Sequence, residues 1–399
     1  MRSAGGDAID ICVLNPYFIP YRGGTEKVLH EVYKRLSKRH NITVLTSAVA
    51  SFGQGFGRAL NSTEYIDGIK VVRIKTKQVG IPFSPLPLQL FPAFRSHLQS
   101  VNADIYHINN RYQYFPSTIG AIKDIGAKMA LTIHNSLPKG ISAADDSLGL
   151  LYDITVGRSF MHSADAITAV SKDALEVTVP TADLTKSRVI YNGVDSSLFR
   201  KMKDGEEPVS ALKYKFGKGS TLILSNGRLT TQKGQVYLME AISRLIKDGK
   251  DVRLLIIGKG PMYNWLYKYA SHLGIADRFE IISGIPEHEM PYYYNAADMF
   301  VLPSLYEPAG MALLEAMACG VPSIATRIGG MPEMGRNAVL YANPRDTSSI
   351  KNAIEKYMSD SKRARANATR GISLVKKRND WNKISKEYED CFLNISSSR

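Results

Sequence analysis

Residues 299–315 have the sequence MFVLPSLYEPAGMALLE, in which a short apolar run is followed by a turn and then by a longer helical run. The block 299–302 is apolar without polar alternation, which is typical of a strand buried on both faces. A helix is predicted to begin near Gly310. A buried strand followed directly by a helix is the repeating unit of a parallel sheet covered by helices, so the stretch predicts an α/β fold.

The same strand and helix unit recurs along the whole chain. Short Val/Ile-rich runs end in Gly, Asn, Ser or His and are followed by longer helical stretches. In the first half, strands are predicted at 9–14, 42–46, 69–74, 105–108, 129–133, 166–170 and 188–191. The second half begins the pattern afresh, with strands at 221–224, 252–257, 279–282, 299–302, 323–325 and 339–341. The sequence thus predicts one parallel sheet in each half.

A hydrophilic stretch at residues 196–220 separates the two halves. A chain of 399 residues is too long for one ordinary core and suits two domains. We therefore predict an N-terminal domain at 1–195 and a second domain at 196–378, with a cleft between them.

The composition is that of a soluble globular enzyme, with 44% hydrophobic and 22% charged residues. Cys12, Cys319 and Cys391 are far apart and odd in number, which argues against a disulfide framework or a zinc site. Residues 1–10 lack the features of a signal peptide, and no apolar run reaches the roughly 18 residues of a membrane span. The sequence therefore predicts a cytoplasmic protein.

The net charge of +14 would attract phosphates, nucleic acid or an anionic membrane surface, and its sign alone does not choose among them. The clearest basic excess lies at 362–378, a stretch without an acidic residue. A solvated helix face is the favoured interpretation, and a face that docks on a membrane or steers the acceptor is the alternative. The apolar, proline-rich segment 81–94 is interpreted as a packed loop, with a surface for a lipid acceptor as the alternative.

Two glutamates flank the predicted helix start at Gly310. The first amides of a helix have no partners inside it, and with the helix dipole they favour hydroxyls and phosphate oxygens. Glu307 precedes these amides, and Glu315 lies about 7.5 Å further along the axis, five residues on from Gly310. Two carboxylates at this spacing could hold two separated polyols, such as a hexose and a ribose. For the motif on its own, a helix-terminal charge with a structural glutamate is the favoured interpretation.

Two cations follow the first strand of the second half, in the turn 225–234. Arg228 and Lys233 lie between a strand end and a helix start, where open parallel sheets bind ligands. Such a pair can bind a diphosphate and stabilise its charge as it departs. Surface cations are common, but the pair of glutamates nearby favours the functional interpretation.

Weaker signals come from the first half. Gly23 and Gly24 follow the first strand and would allow close approach of a ligand to the backbone, although turns use glycine routinely. His134 ends a predicted strand and would line the cleft, although a structural histidine is the usual interpretation. Arg111 and Tyr112 follow another strand and are candidate acceptor contacts, or part of a plain surface loop.

These motifs together resemble the retaining glycosyltransferases of family 4, which have the GT-B fold of two Rossmann-like domains facing across a cleft. The resemblance covers nearly the whole chain and implies that a last helix, 379–399, crosses back to the first domain. It is carried by the glutamate pair and by the motifs Gly23-Gly-Thr-Glu26, Tyr191-Asn-Gly-Val-Asp195, Gly227-Arg228, Lys233-Gly234, Ile257-Gly-Lys-Gly-Pro261 and Tyr294-Asn-Ala-Ala-Asp298.

The resemblance also implies a role for each candidate residue. Arg228 and Lys233 would bind the donor diphosphate, Glu315 the ribose, and Glu307 the transferred sugar. The amides of Gly310 and Met311 would assist the sugar contact, and His134 would touch the sugar. Gly23 and Gly24 would lie beside phosphate and acceptor, and the backbone near Ile285 would contact the nucleobase.

The implied reaction is transfer of a hexose from a UDP- or GDP-sugar to a lipid-linked or saccharide acceptor, with retention of anomeric configuration. The leaving diphosphate would help to deprotonate the acceptor, and neither a protein nucleophile nor a cofactor is needed. The chain has no Asp-x-Asp motif, and the charges of Arg228 and Lys233 can substitute for a metal, which predicts metal-independent catalysis. Lys259 stands where many relatives carry an acidic residue, which leaves the nucleobase preference open. Nucleic acid is not an expected partner.

Two alternatives keep the architecture. The first is a sugar-nucleotide epimerase, for which no acid and base pair is evident in the sequence. The second is a non-catalytic sensor of sugar nucleotides, which the intact set of two cations and two glutamates argues against.

Overall fold

The computed structural model describes residues 8–21, 23–48, 63–74, 92–109, 114, 116–135, 147, 150–179, 181–203 and 205–397. These residues form two compact units. The first unit reaches Asn192 and takes up the chain again at Trp381, whereas the second runs from Gly193 to Asp380. The candidate acceptor residues Arg111 and Tyr112, and most of the proline-rich segment, lie outside the described residues.

The described part of the first unit contains an eight-stranded sheet in the order β3-β4-β2-β1-β5-β6-β7-β8. Its strands are β1 (Asp10–Leu14), β2 (Asn41–Ser47), β3 (Thr63–Ile66), β4 (Ile69–Ile74), β5 (Ile105–Asn109), β6 (Lys128–Ile133), β7 (Ala166–Ala169) and β8 (Ser187–Val189). All neighbouring pairs are parallel except β3 with β4. The chain winds outward from β1 in one direction and from β5 in the other, so the topological switch point lies between these two strands.

The edge strand β3 was not predicted. Its side chains alternate between exposed and half-buried, so it lacks the apolar run by which the buried strands are recognised. Asp67 and Gly68 join it to β4 and both have positive φ, 48° and 82°. That geometry is the two-residue hairpin turn for which an Asp-Gly pair is a known sequence signal.

Helices cover the sheet of the first unit. They are α1 (Gly24–Leu36), α2 (Pro92–Val101), α3 (Pro116–Ile125), α4 (Arg158–Ser163), α5 (Lys172–Thr178) and the last helix of the chain, Trp381–Ser397. This last helix buries one apolar face, and its buried Glu389 accepts hydrogen bonds from Arg39 at 2.8 Å and from His40 at 2.9 Å. The chain thus returns to the first unit after completing the second.

The second unit contains a six-stranded sheet in the order β11-β10-β9-β12-β13-β14, in which every pair is parallel. Its strands are β9 (Thr221–Asn226), β10 (Val252–Ile257), β11 (Phe279–Ile282), β12 (Met299–Leu302), β13 (Ser323–Thr326) and β14 (Val339–Ala342). Successive strands are added outward from β9 on one side and from β12 on the other. The switch point of this sheet therefore lies between β9 and β12.

The helices of the second unit are α6 (Glu207–Leu212), α7 (Gln235–Lys247), α8 (Tyr263–His272), α9 (Met290–Ala296), α10 (Met311–Ala318), α11 (Met331–Gly335), α12 (Thr347–Ser359) and α13 (Ser361–Arg378), so that the last helix of the chain is α14. Helix α13 contains the basic stretch predicted as a helix face. Its buried residues are Ala364, Asn367, Gly371 and Val375, which lie on one face, and most of its Lys and Arg side chains are exposed.

The main expectations about the fold are confirmed. Each predicted apolar run coincides with a strand, and the result is two α/β units whose sheets are parallel except at the antiparallel edge strand β3. The three cysteines are buried and free, as their spacing indicated. No helix among the described residues combines the length and the apolar character that crossing a bilayer requires.

Candidate functional site

The switch point of the second unit joins two loops that carry the predicted site residues. One loop follows β9 and carries Arg228 and Lys233, and the other follows β12 and carries Glu307. The backbone amide of Leu305 donates a hydrogen bond to the carbonyl oxygen of Gln232 at 2.7 Å, which ties the two loops together. Ligands of open parallel sheets bind at this position, at the carboxyl ends of the strands.

Lys233 and Glu307 form an ion pair at the centre of these loops. The ammonium nitrogen of Lys233 donates to Oε2 of Glu307, and their side chains are only 18% and 12% exposed. The hydroxyl of Ser304 donates to the same oxygen at 3.2 Å, and the amide of Gly310 donates to Oε1 at 3.3 Å. Glu307 is therefore held by a cation, a hydroxyl and a backbone amide, and it lies at the start of α10 as the sequence predicted.

Glycine is favoured at two positions in these loops. Gly234 has φ of +61°, and a Cβ added there would lie 2.1 Å from the carbonyl oxygen of Pro303 in the other loop. Gly310 has φ of +57°, and a Cβ there would lie 2.3 Å from the buried side chain of Met331. Left-handed backbone and close contact together favour glycine at both positions. The amide of Met311, the first residue of α10, has no carbonyl partner within the helix.

Glu315 lies in the second turn of α10 and is 8% exposed. The hydroxyl of Tyr294 donates to its Oε2 at 2.9 Å, and the side-chain amide of Asn226 donates to the Tyr294 hydroxyl at 2.9 Å. Burial, with the charge of Glu315 as the second cause, raises the pKa of Tyr294 and keeps the phenol protonated. The sequence analysis gives no role to Tyr294 or Asn226, although Tyr294 lies in one of the family motifs and Asn226 in the predicted turn 225–234.

The remaining predicted residues of this unit lie at the same edge of the sheet. Arg228 is exposed, and within the described part of the chain its guanidinium makes no ion pair. Lys259 follows β10, and its ammonium nitrogen lies 3.9 Å from the position that a Cβ on Gly284 would occupy. Ile285, the predicted nucleobase contact, is half-buried in the loop after β11, directly beyond Gly284.

In the first unit, Gly23 and Gly24 lie where β1 leads into α1. Gly23 is the residue before the helix, and Gly24 is its first residue. The carboxylate of Glu26 folds back to within 2.2 Å of the position for a Cβ on Gly23, and Asn15 donates to this carboxylate at 3.4 Å. A negative side chain of the protein itself therefore occupies the region near the start of α1, where negative charge is favoured.

His134 directly follows β6 and is buried, with 7% of its surface exposed. Its Nε2 hydrogen-bonds to Oδ1 of Asn109, the last residue of β5, at 2.8 Å. Burial lowers the pKa of His134 to about 4, so the imidazole is neutral at pH 7. His134 and the two glycines lie at the carboxyl ends of strands in the first unit.

The structure thus brings Lys233, Glu307 and Gly310 into direct contact and places Arg228 in the same pair of loops. Glu315 lies one to two turns further along α10, within its own hydrogen-bonded group. Across the described ranges, no group of three or more His, Cys, Asp or Glu side chains is arranged to hold a metal ion.

Two family models match the chain, one on each side of the hydrophilic stretch near residue 200. Residues 22–198 match the model described as Glycosyltransferase Family 4. Residues 210–373 match the model described as Glycosyl transferases group 1. The second match contains the candidate site at the switch point between β9 and β12.

Curated relatives carry the same description. An uncharacterized glycosyltransferase of Methanocaldococcus jannaschii is 30% identical over 206 residues, which are 51% of this chain and 52% of that protein. A GDP-mannose-dependent alpha-(1-6)-phosphatidylinositol monomannoside mannosyltransferase of Mycolicibacterium smegmatis is 32% identical over 232 residues, 54% of this chain and 59% of that protein. The matched regions thus span little more than half the length of either relative.

Solved structures share the fold over nearly the whole chain. Sucrose-phosphate synthase from Thermosynechococcus elongatus superimposes with a TM-score of 0.80 at 19% identity, covering 98% of this chain and all of that one. HepE of Anabaena in complex with UDP-glucose gives a TM-score of 0.75 at 18% identity, covering 97% and 100%. With both domains matched by family models and the GT-B fold shared, the chain belongs to the family 4 glycosyltransferases.

Proposed function

We propose that this protein transfers a hexosyl group from a nucleoside-diphosphate sugar to a hydroxyl of a saccharide or lipid-linked acceptor, with retention of anomeric configuration and without a metal. The observation that supports it most is the ion pair of Lys233 and Glu307 at the switch point of the second unit, beside the exposed Arg228. Opposite charges so placed suit a ligand with a diphosphate at one end and vicinal hydroxyls at the other.

The ion pair suggests how the donor is bound. A diphosphate carries more negative charge than one carboxylate, so it can draw the Lys233 ammonium away from Glu307. Arg228 binds the same diphosphate with its planar fork of donors. Glu307 is then free to accept hydrogen bonds from hydroxyls of the sugar, and the two cations stabilise the charge that develops on the departing diphosphate.

Glu315 would hold the ribose of the donor. Its carboxylate has about four acceptor positions, and Tyr294 uses one of them at 2.9 Å. The contact with Tyr294 fixes the orientation of the carboxylate, which is the condition for recognising two vicinal hydroxyls. Glu307 and Glu315 thus mark the sugar end and the ribose end of the donor.

The environments of Glu307 and His134 favour a mechanism without a protein nucleophile. Glu307 is stabilised as a hydrogen-bond acceptor by three donors, and His134 is neutral with a pKa of about 4. The acceptor oxygen then bonds to the anomeric carbon on the face from which the diphosphate leaves. The bond from that carbon to the phosphate oxygen breaks, and the acceptor proton passes to the diphosphate.

Two of the similar proteins indicate which donors and acceptors to test. The name of one relative specifies GDP-mannose and a lipid-linked acceptor, and one structural neighbour holds UDP-glucose. A UDP- or GDP-hexose is therefore the donor class to test first. The exposed basic face of α13 would bring the enzyme to an anionic membrane if its acceptor is a lipid at the cytoplasmic face.

The test is turnover with a panel of UDP-, GDP- and ADP-hexoses and a mixture of saccharide and lipid acceptors, followed as release of nucleoside diphosphate. We expect turnover with one donor, an unchanged rate with added chelator, and a product whose anomeric proton shows the configuration of the donor. An inverted product would refute retention, and loss of turnover with chelator would refute metal independence.

The same assay separates the two alternatives. An epimerase would convert the donor to a second nucleotide sugar without any acceptor. A sensor would bind a donor, which stabilises the folded state against heat, and would release no nucleoside diphosphate with any acceptor. Either outcome would replace the transferase proposal.

A further inference from the structure

A buried polar network lies behind His134 in the first unit. From Nε2 of His134 it runs to Oδ1 of Asn109 at 2.8 Å, and the Asn109 amide nitrogen lies 3.5 Å from Nδ1 of His107. Nε2 of His107 then hydrogen-bonds to the hydroxyl of Thr132 at 2.6 Å. Asn109, His107 and Thr132 are almost completely buried. Burying polar groups in this way is energetically unfavourable unless each of them has a hydrogen-bond partner.

The network extends to the last helix of the chain. The hydroxyls of Thr132 and Thr168 lie 2.6 Å apart, and both hydrogen-bond to the hydroxyl of Tyr388 in α14. On the opposite side, the hydroxyl of Tyr33 in α1 hydrogen-bonds to Nδ1 of His107. His107 is therefore hydrogen-bonded to Thr132 of β6 and to Tyr33 of α1, and Thr132 links it to Tyr388 of α14.

The polarity of the Asn109 side chain determines the tautomer of His134. The Asn109 nitrogen lies 3.4 Å from the carbonyl oxygen of His107, to which only a donor can hydrogen-bond. This contact turns the amide nitrogen inward and the oxygen Oδ1 toward His134. An amide oxygen accepts and cannot donate, so Nε2 of His134 must carry the hydrogen. A neutral imidazole then has a lone pair on Nδ1.

We propose that Asn109 is a positioning residue, which holds His134 as the neutral Nε2–H tautomer so that Nδ1 can accept a hydrogen bond from a hydroxyl of the glycosyl substrate. The role of Nδ1 rests on the proposed function, whereas the control of the tautomer by Asn109 does not. Within the described residues, Nδ1 of His134 has no hydrogen-bond partner, although the ring is otherwise buried.

The surroundings explain why an amide suits position 109. Burial, with His134 as the second cause, lowers the pKa of His107 to about 3, so both imidazoles are neutral at pH 7. The thiols and phenols near the network have pKa values raised by burial and are also neutral there, namely Cys12, Tyr33, Tyr388 and Cys391. The charged groups that act on them are Glu387, beside Tyr388, and Arg188, which acts on Cys391. A carboxylate at 109 would instead favour the imidazolium, which has no lone pair to offer.

The first experiment measures the tautomer directly, by nitrogen NMR of the full-length protein labelled at histidine, with His134→Ala to assign the signal. We expect the wild-type protein to show Nε2 protonated and Nδ1 unprotonated at pH 7. Asn109→Asp should raise the pKa of His134 by about 1 to 3 pH units. Asn382→Asp, the same change at a surface contact with Arg35, is the matched control and should leave this pKa unchanged. A wild-type Nδ1–H tautomer, or an unaltered signal in Asn109→Asp, would overturn the proposal.

The second experiment is a double-mutant cycle on turnover with Asn109→Leu and His134→Ala. We expect Asn109→Leu to lower kcat about tenfold in the wild-type background and to have little further effect when His134 is already alanine. A residue that only supports the fold would lower turnover equally in both backgrounds, which would refute positioning. If the wild type turns over no donor, the proposed function fails, and the NMR measurement still decides the role of Asn109 in setting the tautomer.

Discussion

At the scale of single residues, the centre of the candidate site is a contact between side chains 74 positions apart, Lys233 and Glu307. Removing two charges from water is unfavourable unless each remains well paired. Here the cation, Ser304 and the amide of Gly310 together satisfy the carboxylate. An arrangement of this kind can exchange one anionic partner of Lys233 for another, which is what donor binding requires.

Replacing Glu307 by glutamine tests its role as a hydroxyl acceptor. The amide keeps the shape but loses the charge, and hydrogen bonds to a charged group contribute about 1.5 to 3 kcal/mol. We expect turnover to fall about 10- to 100-fold, while the midpoint of thermal unfolding stays close to that of the wild type. Glu280→Gln, on the exposed side of β11, is the control and should turn over normally. Normal turnover of Glu307→Gln would refute the role.

Replacing Tyr294 by phenylalanine tests the support of Glu315. The change removes one hydroxyl that donates to the buried Glu315 and accepts from the half-buried Asn226. Leaving a buried polar group unsatisfied costs about 1 to 3 kcal/mol. We expect KM for the donor to rise about tenfold, measured by initial rates at saturating acceptor. An unchanged KM would mean that Glu315 does not hold the donor through this contact.

The sequence predicted at which strand ends and helix starts the charged residues of the candidate site lie, but not which of them touch. Glu307, Glu315 and Lys233 could be located because each follows a recognisable strand end or helix start. Their pairing depends on two loops distant in sequence, and no local pattern determines it. The sequence analysis gave no role to Asn109 and Asn226, which hydrogen-bond to His134 and Tyr294, because an asparagine at a strand end has many uses.

At the scale of elements, the two loops at the switch point depend on Gly234. Its left-handed backbone ends the short helical turn Thr231–Lys233, and its α-carbon packs against the backbone of Pro303. Because Lys233 precedes it directly, a displacement of this turn would also move the ammonium away from Glu307. The ion pair is thus a property of the packed loops as well as of the two side chains.

Gly234→Ala should therefore cost more than the backbone strain alone. An alanine in left-handed backbone costs about 1 to 2 kcal/mol, and forced contact with neighbouring atoms adds about 1 to 3 kcal/mol. The matched control is Gly274→Ala, where φ is +71° and no atom lies within 4 Å of the added Cβ. We expect chemical unfolding to show the larger loss for Gly234→Ala, with turnover lost in that variant only. Equal losses of stability would contradict the packing argument.

Among the elements, buried strands were easier to predict than exposed ones. The apolar run 252–257 corresponds to β10 because a strand buried on both faces has no polar alternation. Strand β3 was missed because half of its residues face solvent, and only the pair Asp67-Gly68 signals the hairpin. The register of β3 with β4 is set by this turn, which the search for apolar runs does not detect.

At the scale of the whole molecule, stability should depend on pH through the two buried histidines. The pKa values of His107 and His134 are lowered to about 3 and about 4, against about 6.5 in an unfolded chain. At about pH 8 and above, almost no imidazole is protonated in either state, so there is no effect. As the pH falls below about 6.5, the unfolded state takes up protons that the folded state excludes, and stability is lost progressively down to the folded pKa values.

Between pH 7 and pH 5 these two groups should lower the free energy of unfolding by about 4 kcal/mol, measured by urea unfolding. His107→Gln should lose about half of this pH dependence, whatever its stability at pH 7, because one of the two groups is gone. Other ionisable groups contribute equally to both proteins and cancel in the comparison. The same pH dependence in variant and wild type would show that His107 is not buried as a neutral imidazole.

The proposed function requires that the cations at the switch point of the second unit bind the diphosphate of a nucleotide. Calorimetric titration of UDP, GDP and ADP into the wild type, Arg228→Ala and Lys268→Ala measures this binding. Arg228 is exposed and has no ion pair in the described chain, so its loss leaves the fold intact, and the exposed Lys268 is the control. We predict that one nucleotide binds the wild type and Lys268→Ala equally and binds Arg228→Ala about tenfold or more weakly, which corresponds to about 1.4 kcal/mol or more. Equal affinity for all three proteins, or no binding of any nucleotide to the wild type, would contradict the account.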